Sequence, residues 1–183
     1  IAGIYSPDDG RKRGLQGMIN DVMARSDFPT GSDNHIEVQK ILSRDYRSIA
    51  RLISAAENFP ESVGEIIGAL QEAKKCKQSP VLGITGTGGS GKSSLIDESV
   101  RRFLIDFPEK RIAIISVDPS KRKSGGALLG DRIRMNSIHH PRVYMRSLAT
   151  RQSNLALSRY VKDALCIVQA AGFDLILLDT SGI

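Results

Sequence analysis

The chain has 183 residues, of which 40% are hydrophobic and 25% charged, and its 26 Lys and Arg against 20 Asp and Glu leave a net charge of +6. That balance is ordinary for a globular chain and excludes collagen, low-complexity disorder and a disulfide-stapled miniprotein. Aromatics are only 5% and Trp is absent, which argues against stacking on single-stranded nucleic acid, and the basic clusters Arg11-Lys12-Arg13 and Lys121-Arg122-Lys123 read as solvated surface.

In chain order, residues 1–6 read as a strand and Pro7-Asp8-Asp9-Gly10 as a turn. Leu15, Met18, Ile19, Val22 and Met23 then recur at helical spacing. This is expected to be the closing strand–helix unit of a preceding domain. Phe28-Pro29-Thr30-Gly31-Ser32-Asp33 reads as a linker. Asn34, with Glu37 three residues on, offers an N-cap to one helix carrying Val38, Ile41, Leu42, Tyr46, Ile49, Leu52, Ile53 and Ala56, which Asn58-Phe59-Pro60 stops. A second helix carries Val63, Ile66, Ile67 and Leu70. Few groups on these helices could titrate usefully, so packing is their expected role, as a helical layer between two larger domains.

From Pro80 onward strands alternate with helices. Val81 to Thr85 is a short strand, Leu95, Ile96, Val100, Phe103, Leu104 and Phe107 mark a helix, and Ile112 to Val117 is a continuous apolar strand of the kind covered on both faces. Val143-Tyr144-Met145 begins another strand, Tyr160, Ala164, Leu165, Ile167 and Val168 mark a helix, and Leu175 to Leu178 a last strand. The alternation predicts an α/β fold, a parallel sheet with helices on both faces, with no internal repeat. No run approaches the roughly 18 apolar residues of a membrane span, and no signal-peptide order opens the chain. Cys76 and Cys166 lack metal-ligand spacing; Cys166 reads as core, and the pair fits a reducing, cytoplasmic setting. His35, His139 and His140 are too scattered for a metal site. The absence of an initial Met and the stop at Ile183, just after an apolar strand, read as a piece of a longer polypeptide.

Gly86-Thr87-Gly88-Gly89-Ser90-Gly91-Lys92-Ser93 is a complete G-x-x-x-x-G-K-S phosphate loop, leaving a predicted strand and opening a predicted helix. Its glycines let successive N–H groups point inward, and the helix N-terminus adds partial positive charge. Lys92 is expected to reach the β- and γ-phosphates as the catalytic cation and Ser93 to ligate Mg²⁺, with Ser94 completing the nucleotide-binding stretch. Asp179, with Thr180 beside it, ends the last strand and is the expected Mg²⁺ partner, directly or through water. The D-x-x-G spacing to Gly182 suits a γ-phosphate sensor offering a backbone N–H. Asp118 likewise ends a strand. It and Asp131 bracket a polar, Gly-rich stretch and are read as contacts to Mg²⁺ or catalytic water; Arg134 is open between a phosphate contact and a solvated helix face.

Val117-Asp118-Pro119-Ser120, Ser124-Gly125-Gly126 and Leu129-Gly130-Asp131-Arg132-Ile133-Arg134-Met135 resemble the GTPase chaperones of adenosylcobalamin-dependent acyl-CoA mutases. Within that group Gly83 to Ser94, Tyr144-Met145-Arg146-Ser147-Leu148-Ala149-Thr150-Arg151 and Ser6-Pro7-Asp8-Asp9-Gly10 resemble the fused isobutyryl-CoA mutases, in which a GTPase lies between a cobalamin domain and a mutase barrel. The resemblance implies a GTP-binding, Mg²⁺-dependent domain that gates cofactor loading, with Ser93, Asp118, Asp131 and Asp179 at the metal and Arg134 at the nucleotide. It implies three segments: 1–28 as the tail of a flavodoxin-like cobalamin-binding domain, 29–79 as a helical linker, and 80–183 as the first part of a P-loop GTPase domain. Implied partners are the cobalamin and mutase domains of the same parent chain and an adenosyltransferase, in a homodimeric parent, with neither nucleic acid nor membrane. The D-x-H-x-x-G motif that supplies a cobalt-binding His is absent from these residues, as is the guanine-reading N-K-x-D, so mutase activity and adenosylcobalamin belong to the parent. Two rival readings remain open: a P-loop kinase of a small molecule, with Arg132, Arg134 and Arg151 as lid arginines, and a non-catalytic nucleotide-binding scaffold.

Overall fold

Four parallel strands, β1 (Val81–Gly86), β2 (Ile112–Pro119), β3 (Val143–Thr150) and β4 (Leu175–Ser181), lie in the spatial order β1-β4-β2-β3. The computed structural model describes residues 4–27, 37–74, 79–87, 89–119, 135–150 and 159–181. The helices are α1 (Pro7–Ser26), α2 (Val38–Leu42), α3 (Tyr46–Asn58), α4 (Gly64–Lys74), α5 (Lys92–Asp106) and α6 (Arg159–Ala170). Single 3₁₀ turns stand at Pro60–Ser62 and Ser137–His139.

The apolar run of β2 explains the layering. Successive side chains alternate between faces, so Ile112 and Ile114 go one way and Ala113, Ile115 and Val117 the other. On the first face Ile96 and Val100 of α5 pack with Ile112, Ile114, Val143, Met145, Leu177 and Met135. On the second, Val161, Ala164, Ile167 and Val168 of α6 meet Ala113, Ile115, Val117, Tyr144, Leu148 and Ile176. The α/β class with helices on both faces is as expected.

The same second cluster takes in Ile41, Ile49, Leu52, Ile53, Val63 and Leu70. The helices of the 29–79 segment therefore share one core with the sheet, with α3 and α4 packed on α6. Tyr46, Tyr144 and Phe173 form an aromatic triangle with ring centroids 5.4 to 6.0 Å apart where α3 meets the sheet.

Three local expectations are corrected. Residues 4–6 form no strand, and Pro7-Asp8-Asp9-Gly10 is the first turn of α1 rather than a loop. A capping box explains this: the Asp9 N–H donates to Ser6 Oγ at 3.3 Å and the Ser6 N–H to Asp9 Oδ2 at 2.9 Å, with Pro7 at the first helical position. The stripe of α1 is not buried: Leu15, Ile19, Val22 and Met23 are all exposed, and the helix kinks at Gly14. The long helix expected from residue 34 is two helices. Arg44 has φ of 64° and Asp45 caps α3 afresh, accepting the Ser48 N–H at 2.9 Å; Glu37 occupies the cap position of α2, while Asn34 lies outside the described residues.

Candidate functional site

Strand β1 delivers the chain to the C-terminal rim of the sheet, where ligands of open α/β folds bind. At that rim Gly86 ends the strand and Lys92 starts α5. A Cβ at Gly86 would stand 3.0 Å from Ser90 Oγ and 3.5 Å from Lys92 Cγ and Cδ, so a side chain there would press on the Ser90 hydroxyl within the loop. Gly91, with φ of 86°, takes the left-handed conformation at the N-cap, where an L side chain costs roughly 1–2 kcal/mol. The Ser90 N–H donates to the Thr87 carbonyl at 3.3 Å and the Leu95 N–H to that of Gly91 at 2.9 Å. Lys92 folds back over the loop, its Nζ 3.5 Å from the Thr87 oxygen. Lys92 and Ser93 are half-buried in the first turn of α5, while Gly89, Ser90 and Ser94 face solvent. An ammonium and a helix N-terminus thus meet at an accessible loop, with Ser93 in the same first turn of α5, an arrangement suited to an anion.

β4 lies directly beside β1, in the register Ile84↔Asp179 and Gly86↔Ser181. Asp179 is 4% exposed and falls, by strand alternation, on the α5 face together with Leu175 and Leu177. Its Oδ2 accepts a hydrogen bond from Ser116 Oγ on β2 at 3.3 Å. Thr180, half-buried, falls on the opposite, α6 face, so only its backbone lies in line with the loop. Asp118 has its backbone in β2 opposite Ala149, at the same rim. Its side chain, and Gly88, Asp131, Arg134 and Gly182, lie outside the described residues, as do Lys121, Arg132 and Arg151. Among the described residues no three His, Cys, Asp or Glu gather into a metal cluster. The donor set at the rim is oxygen throughout, hydroxyl and carboxylate beside a phosphate loop. That is the chemistry Mg²⁺ takes, with one or two carboxylates and the phosphates sharing it.

Several residues went unnoticed in the sequence. Ser116 carried a signal, as the one polar residue inside an apolar strand. Asp97 and Ser137 carried none: the Ser137 N–H donates to Asp97 Oδ1 at 2.8 Å, tying the 3₁₀ turn at Ser137–His139 to α5. Arg142 reaches the end of α5, donating to the carbonyls of Leu104, Phe107 and Lys110 at 2.7 to 2.9 Å. Arg146 on β3 donates to Ser54 of α3 at 2.9 Å and lies 4.0 Å from Glu57. Arg101 and Arg102 close on the outward-facing Glu98, each at 2.7 Å, and hold its carboxyl at about 2, a surface cluster away from the loop.

The family profile for the methylmalonyl-CoA mutase-associated GTPase MeaB matches residues 49–183, from within α3 to the last residue. The chain belongs to the MeaB GTPase family. This MeaB-family chain is 56% identical to a fused isobutyryl-CoA mutase of Geobacillus kaustophilus and 50% identical to one of Cupriavidus metallidurans, in each case over 100% of its own length and 17% of the relative's. It therefore spans about one-sixth of the curated relatives it matches. A solved LAO/AO transport system kinase shares its fold at a TM-score of 0.59 and 19% identity, covering 84% of this chain and 44% of that one. No described helix of the MeaB-family chain is long and apolar enough to cross a membrane.

Proposed function

We propose that the chain binds GTP with Mg²⁺ and hydrolyses it, as the built-in chaperone of an adenosylcobalamin-dependent acyl-CoA mutase that interconverts isobutyryl-CoA and n-butyryl-CoA. The observation that carries this reading is the complete phosphate loop at the β1–α5 junction with the Asp179 strand hydrogen-bonded beside it. The backbone amides and Lys92 bind the β- and γ-phosphates; Lys92 swings from its resting place over Thr87 onto charge that grows on the oxygen bridging them. Water attacks the γ-phosphorus in line, the bond to the bridging oxygen breaks, and GDP leaves. Ser93 and Asp179, with Asp118 at the end of β2 and Asp131, would hold Mg²⁺, which when bound neutralises phosphate charge. Gly182 is assigned the γ-phosphate and Arg134 a nucleotide contact.

The partners in this reading are a cobalamin domain and a mutase domain of the same parent chain, with an adenosyltransferase delivering cofactor to a homodimeric, cytoplasmic protein. Segments 1–28, 29–79 and 80–183 take the roles of cobalamin-domain tail, linker and GTPase. The 56% identity to a fused isobutyryl-CoA mutase supports the assignment. Single-turnover hydrolysis of GTP by the full-length protein tests it: Mg²⁺-dependent release of phosphate is expected, and transfer of phosphate to a small-molecule acceptor, or binding without turnover, would overturn it.

A further inference from the structure

The α5 face of the sheet changes character within one row of side chains. Leu177, Ile114 and Met145 lie abreast in the strand register and pack together in the core under α5. The next row on the same face is Asp179, Ser116 and Ser147, again abreast. Ser116 is 1% exposed and Asp179 is 4% exposed. A hydroxyl in such a place is costly unless bonded, and an ionised carboxylate can only accept, so Ser116 Oγ donates to Asp179 Oδ2 across 3.3 Å.

We propose that Ser116 is a positioning residue for the cation and triphosphate site, acting through Asp179. The proposal rests on the reading of Asp179 as a Mg²⁺ partner. The terminal torsion of an aspartate is broad and roughly two-fold, so the side chain alone does not choose the plane of its carboxylate. A donor on the adjacent strand chooses it. β2 and β4 are the two inner strands of the described sheet and are hydrogen-bonded to each other from Ile112 to Val117, so the hydroxyl is held as firmly as the fold allows. With Oδ2 fixed, the direction in which the carboxylate presents itself to the rim is fixed too. Partners that orient a metal-binding carboxylate commonly govern about 10–100-fold in metal affinity.

The test is Mn²⁺ binding to the full-length protein with GDP, followed by electron paramagnetic resonance, for Ser116→Ala, Ser116→Cys, Ser116→Thr and Asp179→Asn. Metal-free GDP affinity and Tm are measured on each. The expectation is that Ala and Cys weaken Mn²⁺ binding about tenfold or more, that Thr, which keeps the hydroxyl, stays within about threefold of wild type, and that Asp179→Asn is at least as damaging as Ala. Metal-free GDP affinity stays unchanged in the three Ser116 variants. If Asp179→Asn weakens Mn²⁺ binding while Ser116→Ala and Ser116→Cys bind it like wild type, Ser116 is packing alone and the inference falls, leaving the role of Asp179 intact. If Asp179→Asn binds Mn²⁺ like wild type, Asp179 is not a metal partner and both readings fall together.

Discussion

Lys92 rests 3.5 Å from a carbonyl of its own loop, and the proposed function gives its charge to a ligand rather than to the fold. Lys92→Ala should therefore lower triphosphate affinity at least about tenfold, the worth of a hydrogen bond to a charged group, while leaving Tm unchanged. Calorimetric titration with a non-hydrolysable GTP analogue reads this, and unchanged affinity would sink the phosphate-loop assignment. Arg142 is the opposite case. Its guanidinium bonds the carbonyl of Leu104 in the last turn of α5, which the helix leaves over, and those of Phe107 and Lys110 just beyond it. Arg142→Ala is expected to cost about 1.5–3 kcal/mol in urea unfolding, with nucleotide affinity unaffected once folded. The loop was legible in the sequence because its chemistry is local: glycine at fixed spacing, then lysine and serine, between a strand and a helix. Arg142 and Asp97 were not, because their partners stand 32 to 40 residues away and only the folded chain brings them near; Ser116 stood out as polar in an apolar strand, but its partner Asp179, 63 residues on, did not.

The helices of residues 38–74 act as one layer with α6, and that is testable. Leu52 on α3 is fully buried in the cluster that also holds Ile115 and Val117 of β2. Leu52→Ala should cost about 2–5 kcal/mol, and unfolding should remain a single transition in which β2 amides lose hydrogen-exchange protection together with those of α3. Loss confined to α3 would mean that the layer and the sheet unfold separately. Periodicity found the helical stretches but ran α2 and α3 together, and it missed the start of α1. Apolar residues continue in register through Arg44, so nothing in the pattern marks the break; the left-handed φ of Arg44 and the Asp45 cap make it. Pro7-Asp8-Asp9-Gly10 suits both a turn and a helix start, and the Ser6–Asp9 box decides between them.

At the scale of the whole molecule, parallel pairing was legible from the buried strands, but the order β1-β4-β2-β3 was not, since any parallel strand can neighbour any other. That order sets the phosphate loop beside the Asp179 strand although they are 87 residues apart, from Lys92 to Asp179. In the proposed function the contacts it assembles are to phosphate, which GTP and ATP share. The 183-residue chain on its own should thus bind the two within about tenfold of each other in competition titrations, far short of the roughly 10⁴-fold that a site built to hydrogen-bond a particular group achieves. A hundredfold preference would place base recognition within these residues. The two rows under α5 have an electrical meaning as well. Asp179 stands about 6.7 Å, two residues of strand, above a wall of leucine, isoleucine and methionine. Hydrocarbon polarises little, so the field of the carboxylate is turned back from the wall and leaves through the rim, where low-permittivity walls concentrate it. The sheet thereby works as a reflector, and a cation held at the loop is drawn by Asp179 more strongly than the same separation in open water would give.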